Sequence, residues 1–220
     1  WVSGGSEPNE DEPSGSNWGV EAIGAYTAWQ YEQWCQDVTV GVIDSGFCLE
    51  HEDMGGNTHI RMLPGYEANT PSNHGSQVAG IIAAADNDIG LRGVASGPNH
   101  QLKVYCIDWN PQGDSGPNIK DTAQIYEMYQ VMLQQGVRVI NCSFDFNDIS
   151  FNAFWNNEDN RFGDLSAEET ANILQQAIRE STRRALNVTL QMIRSGKPFL
   201  IVQSAGNGVD NGGRPSLAEN

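Results

Sequence analysis

The sequence predicts a three-layer α/β fold in which a mostly parallel β-sheet carries helices on both faces. Short, continuous apolar segments rich in β-branched residues recur along the chain, as expected of strands buried on both faces. Longer segments with helical periodicity separate them, and this alternation is typical of parallel sheets with crossover helices. A chain of 220 residues is long enough to build one domain around a substantial core.

The first segment of the chain is predicted to lie outside this core. Residues 3–16, SGGSEPNEDEPSGS, contain no apolar side chain and are rich in glycine, serine, proline and acids. Such a composition is typical of flexible segments. We therefore expect a flexible acidic arm over residues 1–17, followed by a folded domain over residues 18–220.

The first strand and helix follow the arm. VTVGVI at 38–43 is a β-branched run that ends in Asp44-Ser-Gly, and SQVAGIIAAA at 76–85 reads as a buried helix of small residues. LKVYCI at 102–107 predicts the second strand. DTAQIYEMYQVMLQQG at 121–136 predicts a helix with Asp121 at its start and Gly136 at its end. One face of this helix carries Ile125, Met128, Tyr129, Met132 and Leu133.

The last predicted elements follow in the same alternation. VRVINC at 137–142 is the third strand and FLIV at 199–202 the fourth. A long helix runs from about 167 to 195 between them, because Ser166 and Glu169 have the spacing of a capping box and GKP at 196–198 ends it. A sheet that stops after the fourth strand leaves an exposed edge, so we expect it to be incomplete at its carboxy-terminal end.

The net charge excludes some classes of partner. A formal charge of −16 repels both nucleic acid and anionic membrane surfaces, so neither is expected as a partner. No run of 18 apolar residues predicts a membrane span. No signal peptide is visible, and we expect any such segment to have been removed already.

The four cysteines are sparse and lack metal-site spacing. No CxxC pair occurs, which argues against zinc. Cys106 and Cys142 fall within apolar strands and are expected to be buried thiols. Cys35 and Cys48 flank the first strand, and the sequence leaves their pairing open.

Ligands of parallel α/β sheets bind beyond the carboxyl ends of the strands, and polar residues stand at these ends: Asp44 after the first strand, Ser143 after the third and Asn207 after the fourth. His74 opens the first predicted helix at the same edge, and together these residue types suit acyl transfer. A histidine acts best as a general base when a buried carboxylate holds its tautomer, and Asp44 and His74 are placed for this. Asn207, between two glycines, offers an amide donor for an oxyanion. The alternative is that each is an ordinary cap or turn residue.

The motifs VIDSG, HGSQVAG, VINCSF and SAGNG resemble, in this order, those of the subtilisin-like serine proteases (peptidase S8) over about residues 18–210. The resemblance implies a subtilisin-like catalytic domain in a secreted serine endopeptidase, with a peptide or protein substrate. It implies that Asp44 orients the base, His74 is the base and Asn207 stabilises the oxyanion. Ser143 would lie in the primary specificity pocket, and Phe144 and Asp145 would pair with the substrate, although Asp145 replaces a family glycine.

The resemblance also implies a structural calcium ion. Its ligands would be the side chains of Asp53 and Asn87 and the carbonyls of Ala85, Ile89 and Leu91. The glutamine that the family contributes from its amino terminus has no counterpart here, and an ordinary Asx-rich surface loop is the alternative.

The nucleophile of the family is not found in the sequence. The family carries its serine in a Gly-Thr-Ser-Met-Ala turn beyond the oxyanion asparagine, and no such motif occurs here. We expect a complementary carboxy-terminal fragment to supply it, this chain being the amino-terminal part of the catalytic domain. A truncated chain, a peptide-binding pseudoprotease and a maturation protease for a partner precursor remain alternatives.

Overall fold

The computed structural model describes residues 18–31, 34, 37–54, 59–67, 73–86, 90–97, 100–109, 122–144 and 166–204. In chain order its elements are α1 (Trp18–Ala22), α2 (Ala25–Trp29), β1 (Thr39–Asp44), β2 (Ile60–Met62), α3 (His74–Ala83), β3 (Ser96–Gly97), β4 (His100–Gln101), β5 (Lys103–Asp108), α4 (Thr122–Gln134), β6 (Val139–Cys142), α5 (Ala167–Arg194) and β7 (Leu200–Gln203).

The main sheet is parallel and has β1 at its centre. Its five strands lie in the order β2-β5-β1-β6-β7, while β3 and β4 form a separate antiparallel pair. Asp44 is in register with Asp108 on β5, and Ile43 is in register with Cys142 on β6. The carboxyl ends of β5, β1, β6 and β7 therefore meet at one edge of the sheet.

Helices cover both faces of the sheet, which confirms the predicted three-layer α/β class. Helix α3 packs on the face that carries Val42 and Val104. Helices α4 and α5 pack on the opposite face, against Ile43 and Ile140. The predicted inner face of α4 is buried in full, at Ile125, Met128, Tyr129, Met132 and Leu133.

The predicted elements agree with the structure to within two residues at most boundaries. Helix α5 has the expected capping box, and Gly136 and Gly196 follow helices α4 and α5 with positive φ angles of 87° and 67°. Cys106 and Cys142 are buried thiols as expected, and Cys48 is a free, exposed thiol. The 1–17 arm and Asp121 lie outside the described residues.

The sequence analysis missed several short elements. Helices α1 and α2, strand β2 and the β3–β4 pair were not predicted, because none is long enough to show a clear period. Helix α2 is held to the loop after α3: Trp29 Nε1 donates to Val94 O at 2.8 Å, and the Arg92 guanidinium lies 3.6 Å from the Trp29 ring centroid. None of the helices in the described part of the chain has the length and apolarity needed to cross a membrane.

Candidate active site

The site is centred on a carboxylate and an imidazole from two different elements. Asp44 is the last residue of β1 and is 1% exposed, whereas His74 is the first residue of α3 and its side chain is 51% exposed. His74 Nδ1 lies 2.6 Å from Asp44 Oδ1, and an ionised carboxylate accepts this hydrogen bond from a ring that carries its proton on Nδ1. A buried carboxylate that holds Nδ1 orients the ring and fixes which nitrogen faces solvent.

The turn after β1 holds the start of α3 in place. Asn73 precedes the helix but makes no side-chain capping bond. Instead, the N–H groups of Gly75 and Ser76 donate to the carbonyls of Ser45 and Gly46, at 2.8 and 3.2 Å. These helical N–H groups have no partners within a helix, so the turn acts as the cap.

The side chain of Ser76 strengthens this junction from the helix side. Ser76 is buried, and its Oγ accepts the N–H of Cys48 at 2.6 Å. Gly75 also lies against Phe47, since a Cβ atom at that glycine would come within 2.6 Å of the ring. Strand β1, its turn and α3 thus form one packed unit that carries both Asp44 and His74.

Burial raises the pKa of Asp44 above its ordinary value. The hydrogen bonds from His74 and Ser45 act in the opposite direction, and the nearby Asp108 carboxylate adds to the increase. Among the described residues, nothing donates to Asp44 Oδ2. The environment of Asp44 therefore disfavours its ionised form. Carboxyl groups with a shifted pKa are common at functional sites.

The neighbouring thiols do not serve as nucleophiles. Burial raises the pKa of Cys142 to about 12, and it raises the pKa of Cys106 further. The charge of Asp44 contributes to both increases. Because the thiolate is the reactive form of cysteine, both side chains are inert at neutral pH.

Asp108 is a functional candidate that the sequence analysis missed. It ends β5 directly beside Asp44, is 0% exposed, and accepts the N–H of Gly46 at 3.2 Å through Oδ2. The sequence does carry a signal for Asp108, because this residue follows the predicted strand at 102–107 just as Asp44 follows the first predicted strand. The polar residues that follow the other three predicted strands were expected in the site, whereas Asp108 was not.

Two of the three predicted substrate-binding residues lie at the same sheet edge. Ser143 and Phe144 follow β6, and the Ser143 Oγ accepts from Asn141 Nδ2 at 2.9 Å. The Phe144 carbonyl accepts hydrogen bonds from Gln203 Nε2 and from Ser204 Oγ, the latter at 3.0 Å. The segments that follow β6 and β7 are therefore joined beside the site.

An aromatic pair links this segment to the centre of the site. The ring centroids of Phe144 and Trp109 are 6.2 Å apart, and the N–H of Trp109 donates to the Asp44 carbonyl at 2.9 Å. Trp109 was not predicted as a site residue. Asp145 and Asn207 lie outside the described residues, so their predicted roles in substrate pairing and oxyanion binding remain predictions.

The predicted calcium ligands are described in part. Asp53 is 2% exposed, its Oδ1 accepts from Leu91 N at 3.2 Å, and its carbonyl accepts from Ala85 N at 2.9 Å. Gly90 has φ +63°, and a Cβ atom there would lie 1.6 Å from Asp53 Oδ1. The carboxylate is thus pressed against the predicted loop.

The remaining predicted ligands, Asn87 and Ile89, lie outside the described residues. Within the part of the chain that the structure describes, no three His, Cys, Asp or Glu side chains come together as a metal-binding group. A buried carboxylate against loop backbone is nevertheless suited to a hard cation with carbonyl ligands.

Comparison with known proteins identifies several similar proteins. Subtilisin DY of Bacillus licheniformis is 35% identical over 108 residues, which cover 49% of this chain and 36% of that protein. The Aeromonas extracellular serine protease of Aeromonas sobria is 38% identical over 85 residues, covering 35% of this chain and 13% of the relative. The minor extracellular protease Epr of Bacillus subtilis (strain 168) is 31% identical over 113 residues, covering 50% and 17%.

Each of these matches covers half of the chain or less, and the chain spans only part of the length of each relative. It spans between 13% and 36% of the length of the three. The family model of the subtilases, peptidase S8, matches residues 36–219. This match takes in the Asp44 strand, the His74 helix and the segment after β6, and the chain belongs to the subtilase family.

Proposed function

We propose that this chain is part of a serine endopeptidase, in which Asp44 and His74 activate a serine. The observation that carries the proposal is the 2.6 Å contact between Asp44 Oδ1 and His74 Nδ1 at the carboxyl edge of a parallel sheet. Family membership and relatives named as serine and extracellular proteases support it. Secretion is part of the same proposal.

The proposed reaction uses each nitrogen of the ring differently. Asp44 holds Nδ1, so Nε2 takes the proton of the serine hydroxyl as its oxygen attacks the peptide carbonyl. His74 then returns the proton to the leaving amine, and water hydrolyses the acyl ester with the same base. The role of Asn207 as donor to the oxyanion comes from the family resemblance.

We propose that the serine lies on a complementary carboxy-terminal piece, which packs beside α3. The strand register places Leu200 and Val202 of β7 on the same face of the sheet as Val40 and Val42. Helix α3 covers part of this face. Leu200 is 58% and Val202 45% exposed. An exposed apolar face next to the helix that carries His74 supports docking of a further helix there.

The test of this proposal is complementation. Mixing the chain with a piece that carries a Gly-Thr-Ser-Met-Ala turn should produce hydrolysis of a peptide substrate. Leu200→Asp should weaken assembly, whereas Leu186→Asp should not, because Leu186 is equally exposed (56%) but lies on α5. Equal loss of assembly in both variants would contradict docking on the β7 face.

The role of His74 as the general base is tested in the assembled protein. His74→Ala should lower turnover by about 10³-fold or more while the melting temperature changes little, because the side chain is half exposed. Retained activity would show that His74 is not the base. Peptide binding without hydrolysis in the assembled wild-type protein would favour the pseudoprotease alternative.

We propose that the substrate binds as an extended strand along Ser143, Phe144 and Asp145. This mode uses main-chain hydrogen bonds at a sheet edge and leaves side-chain pockets to determine specificity. Hydrogen bonds from Gln203 and Ser204 to the Phe144 carbonyl hold the segment after β6 in place. This supports a binding surface that is already formed before the substrate binds. A maturation protease would differ only in the precursor that it cleaves.

We also propose a structural calcium ion held by Asp53, Asn87 and the carbonyls of Ala85, Ile89 and Leu91. The buried Asp53 carboxylate beside this loop supports the proposal. Calcium at a hundred times its dissociation constant should raise the unfolding free energy by about 2.7 kcal/mol. Thermal unfolding with and without calcium measures this.

A matched pair of variants assigns the effect to the site. Asp53→Asn should abolish the calcium-dependent increase in melting temperature, while Glu52→Gln, at the exposed neighbouring position, should retain it. The absence of any calcium-dependent shift in the wild-type chain would contradict the proposed ion.

A further inference from the structure

Asp108 is a buried carboxylate that the proposed reaction does not use. It is 0% exposed at the end of β5, in register with Asp44 on the neighbouring strand. Its charge opposes the ionisation of Asp44 and adds to the increase in the pKa of Asp44, because like charges in a poorly solvated site repel each other. A carboxyl group at this position therefore calls for a role beyond packing.

The hydrogen bonds around Asp108 lead to the start of α3. Its Oδ2 accepts the N–H of Gly46 at 3.2 Å. Gly46 has a positive φ of 70°, and its carbonyl in turn accepts the N–H of Ser76 in the first turn of α3. A carboxyl oxygen on one strand thus holds the peptide group that caps the helix.

The position of His74 depends on this turn. His74 opens α3, Asn73 makes no side-chain capping bond there, and the carbonyls of Ser45 and Gly46 accept the first N–H groups of the helix. A turn free to rotate would move these carbonyls and with them the first residue of the helix. The 2.6 Å contact between His74 and Asp44 would then be lengthened or misaligned.

We propose that Asp108 is a positioning residue for the Asp44–His74 pair. Its carboxyl group fixes the turn at Ser45 and Gly46, and this turn fixes the helix end that carries the imidazole. The inference rests on the proposed function only for its consequence in catalysis, because the arrangement itself is a property of the folded chain.

The first test reads the Asp44–His74 hydrogen bond directly by proton NMR. The Nδ1 proton of His74, bonded to a carboxylate, should give a resonance far downfield in the full chain. Asp108→Asn keeps an oxygen that accepts the Gly46 N–H, so this variant should retain the resonance. Asp108→Leu, of similar size but without an acceptor, should lose or shift it at the same pH.

Circular dichroism and the melting temperature show whether both variants are folded. A folded Asp108→Leu chain with an unchanged His74 resonance overturns the proposal, because a merely structural role would lower stability without moving the proton. Glu127→Gln, a half-exposed position on α4, is the control for loss of one negative charge and should leave the resonance unchanged.

A second measurement needs no variant. Hydrogen exchange of the Gly46 amide in the wild-type chain should be slow compared with that of an exposed turn amide such as Glu50. Rapid exchange at Gly46 would overturn the proposal even if Asp108→Leu failed to fold.

Kinetics in the assembled protease separate this inference from the proposed function. Asp108→Leu should lower kcat by about 10²-fold, the scale of a 1 Å misplacement of catalytic groups, with KM little changed. Asp108→Asn should recover most of the loss. An assembled wild-type protein without activity would refute the proposed function, while the NMR result would still decide the role of Asp108.

Discussion

The starts of helices α3 and α5 are built in opposite ways. Helix α5 carries its own cap: Ser166 Oγ accepts from Glu169 N at 3.3 Å, and Glu169 Oε2 accepts from Ser166 N at 2.9 Å. Both bonds lie within four residues and are exposed to solvent. The start of this helix is therefore fixed by local sequence.

Helix α3 has no such local cap. Its first N–H groups are satisfied by carbonyls about 30 residues away in the chain, at Ser45 and Gly46. The helix start thus exists only when β1, its turn and α3 are assembled. This difference shows that the candidate active site is fixed by tertiary contacts, whereas the surface helix is fixed by its own residues.

The largest expected effect comes from changing the carboxylate at the α3 junction. Asp44→Asn should lower turnover in the assembled protease by about 10⁴-fold, because the amide favours the wrong tautomer of His74. Stability should not fall. Burial raises the pKa of Asp44, so ionisation of this group costs folding free energy once the pH exceeds its ordinary value.

The pH dependence gives the sign of this effect. Between the unfolded and the raised folded pKa, the native state binds more protons, so the contribution of Asp44 to stability falls as pH rises through that window. Asp44→Asn should remove this fall, as measured by denaturant unfolding from acid to neutral pH. A variant that is much less stable than wild type at neutral pH would contradict the argument.

A methyl group added at Gly75 tests the packing at the same junction. The new Cβ would lie 2.6–2.8 Å from the Phe47 ring, so Gly75→Ala should destabilise the chain by about 1–3 kcal/mol. Gly19→Ala is the control, because a Cβ atom added at Gly19 in helix α1 would meet no described atom of another residue within 4 Å. That change should be neutral or stabilising by up to about 1 kcal/mol.

Chemical denaturation of the two glycine variants measures the difference. Equal effects in the two variants would mean that the junction at α3 is packed no more tightly than helix α1, and would contradict the close contact between Gly75 and Phe47.

Removing a hydroxyl at the junction should have a somewhat smaller effect. Ser76→Ala leaves the N–H of Cys48 without its acceptor at a partly buried position, at a cost of about 1–2 kcal/mol. Ser195→Ala at the exposed end of α5 should cost less, because water replaces the lost bond. Thermal unfolding distinguishes them, and a larger loss at Ser195 would contradict the assignment.

The comparison also explains which features the sequence could predict. The capping box of α5 and the apolar face of α4 were predicted correctly, because both depend on residues close in sequence. The contact between Asp44 and His74 followed from the rule for strand ends together with the family motifs. Asp108 fell under the same rule but was not singled out.

Other parts of the site depend on long-range geometry that no local pattern carries. His74 was expected to open the helix, and α3 begins there, but no local pattern shows that the carbonyls of Ser45 and Gly46 satisfy its first N–H groups. The contact between Trp109 and Phe144 joins residues 35 positions apart and has no signal in either segment.

The smallest expected effect is at the locally capped helix. Ser166→Ala should cost about 1 kcal/mol, the usual value for loss of an N-cap side chain, because Glu169 N loses its Oγ acceptor while the backbone N–H of residue 166 can still donate to Glu169 Oε2. Ser166→Asp should retain most of the stability, since aspartate is also a good N-cap. Turnover in the assembled protease should be unchanged in both, because this helix start makes no described contact with the Asp44–His74 pair. A loss of activity in Ser166→Ala at a temperature where the chain is folded would mean that the two helix starts are coupled, and that the site depends on more than the β1–α3 junction.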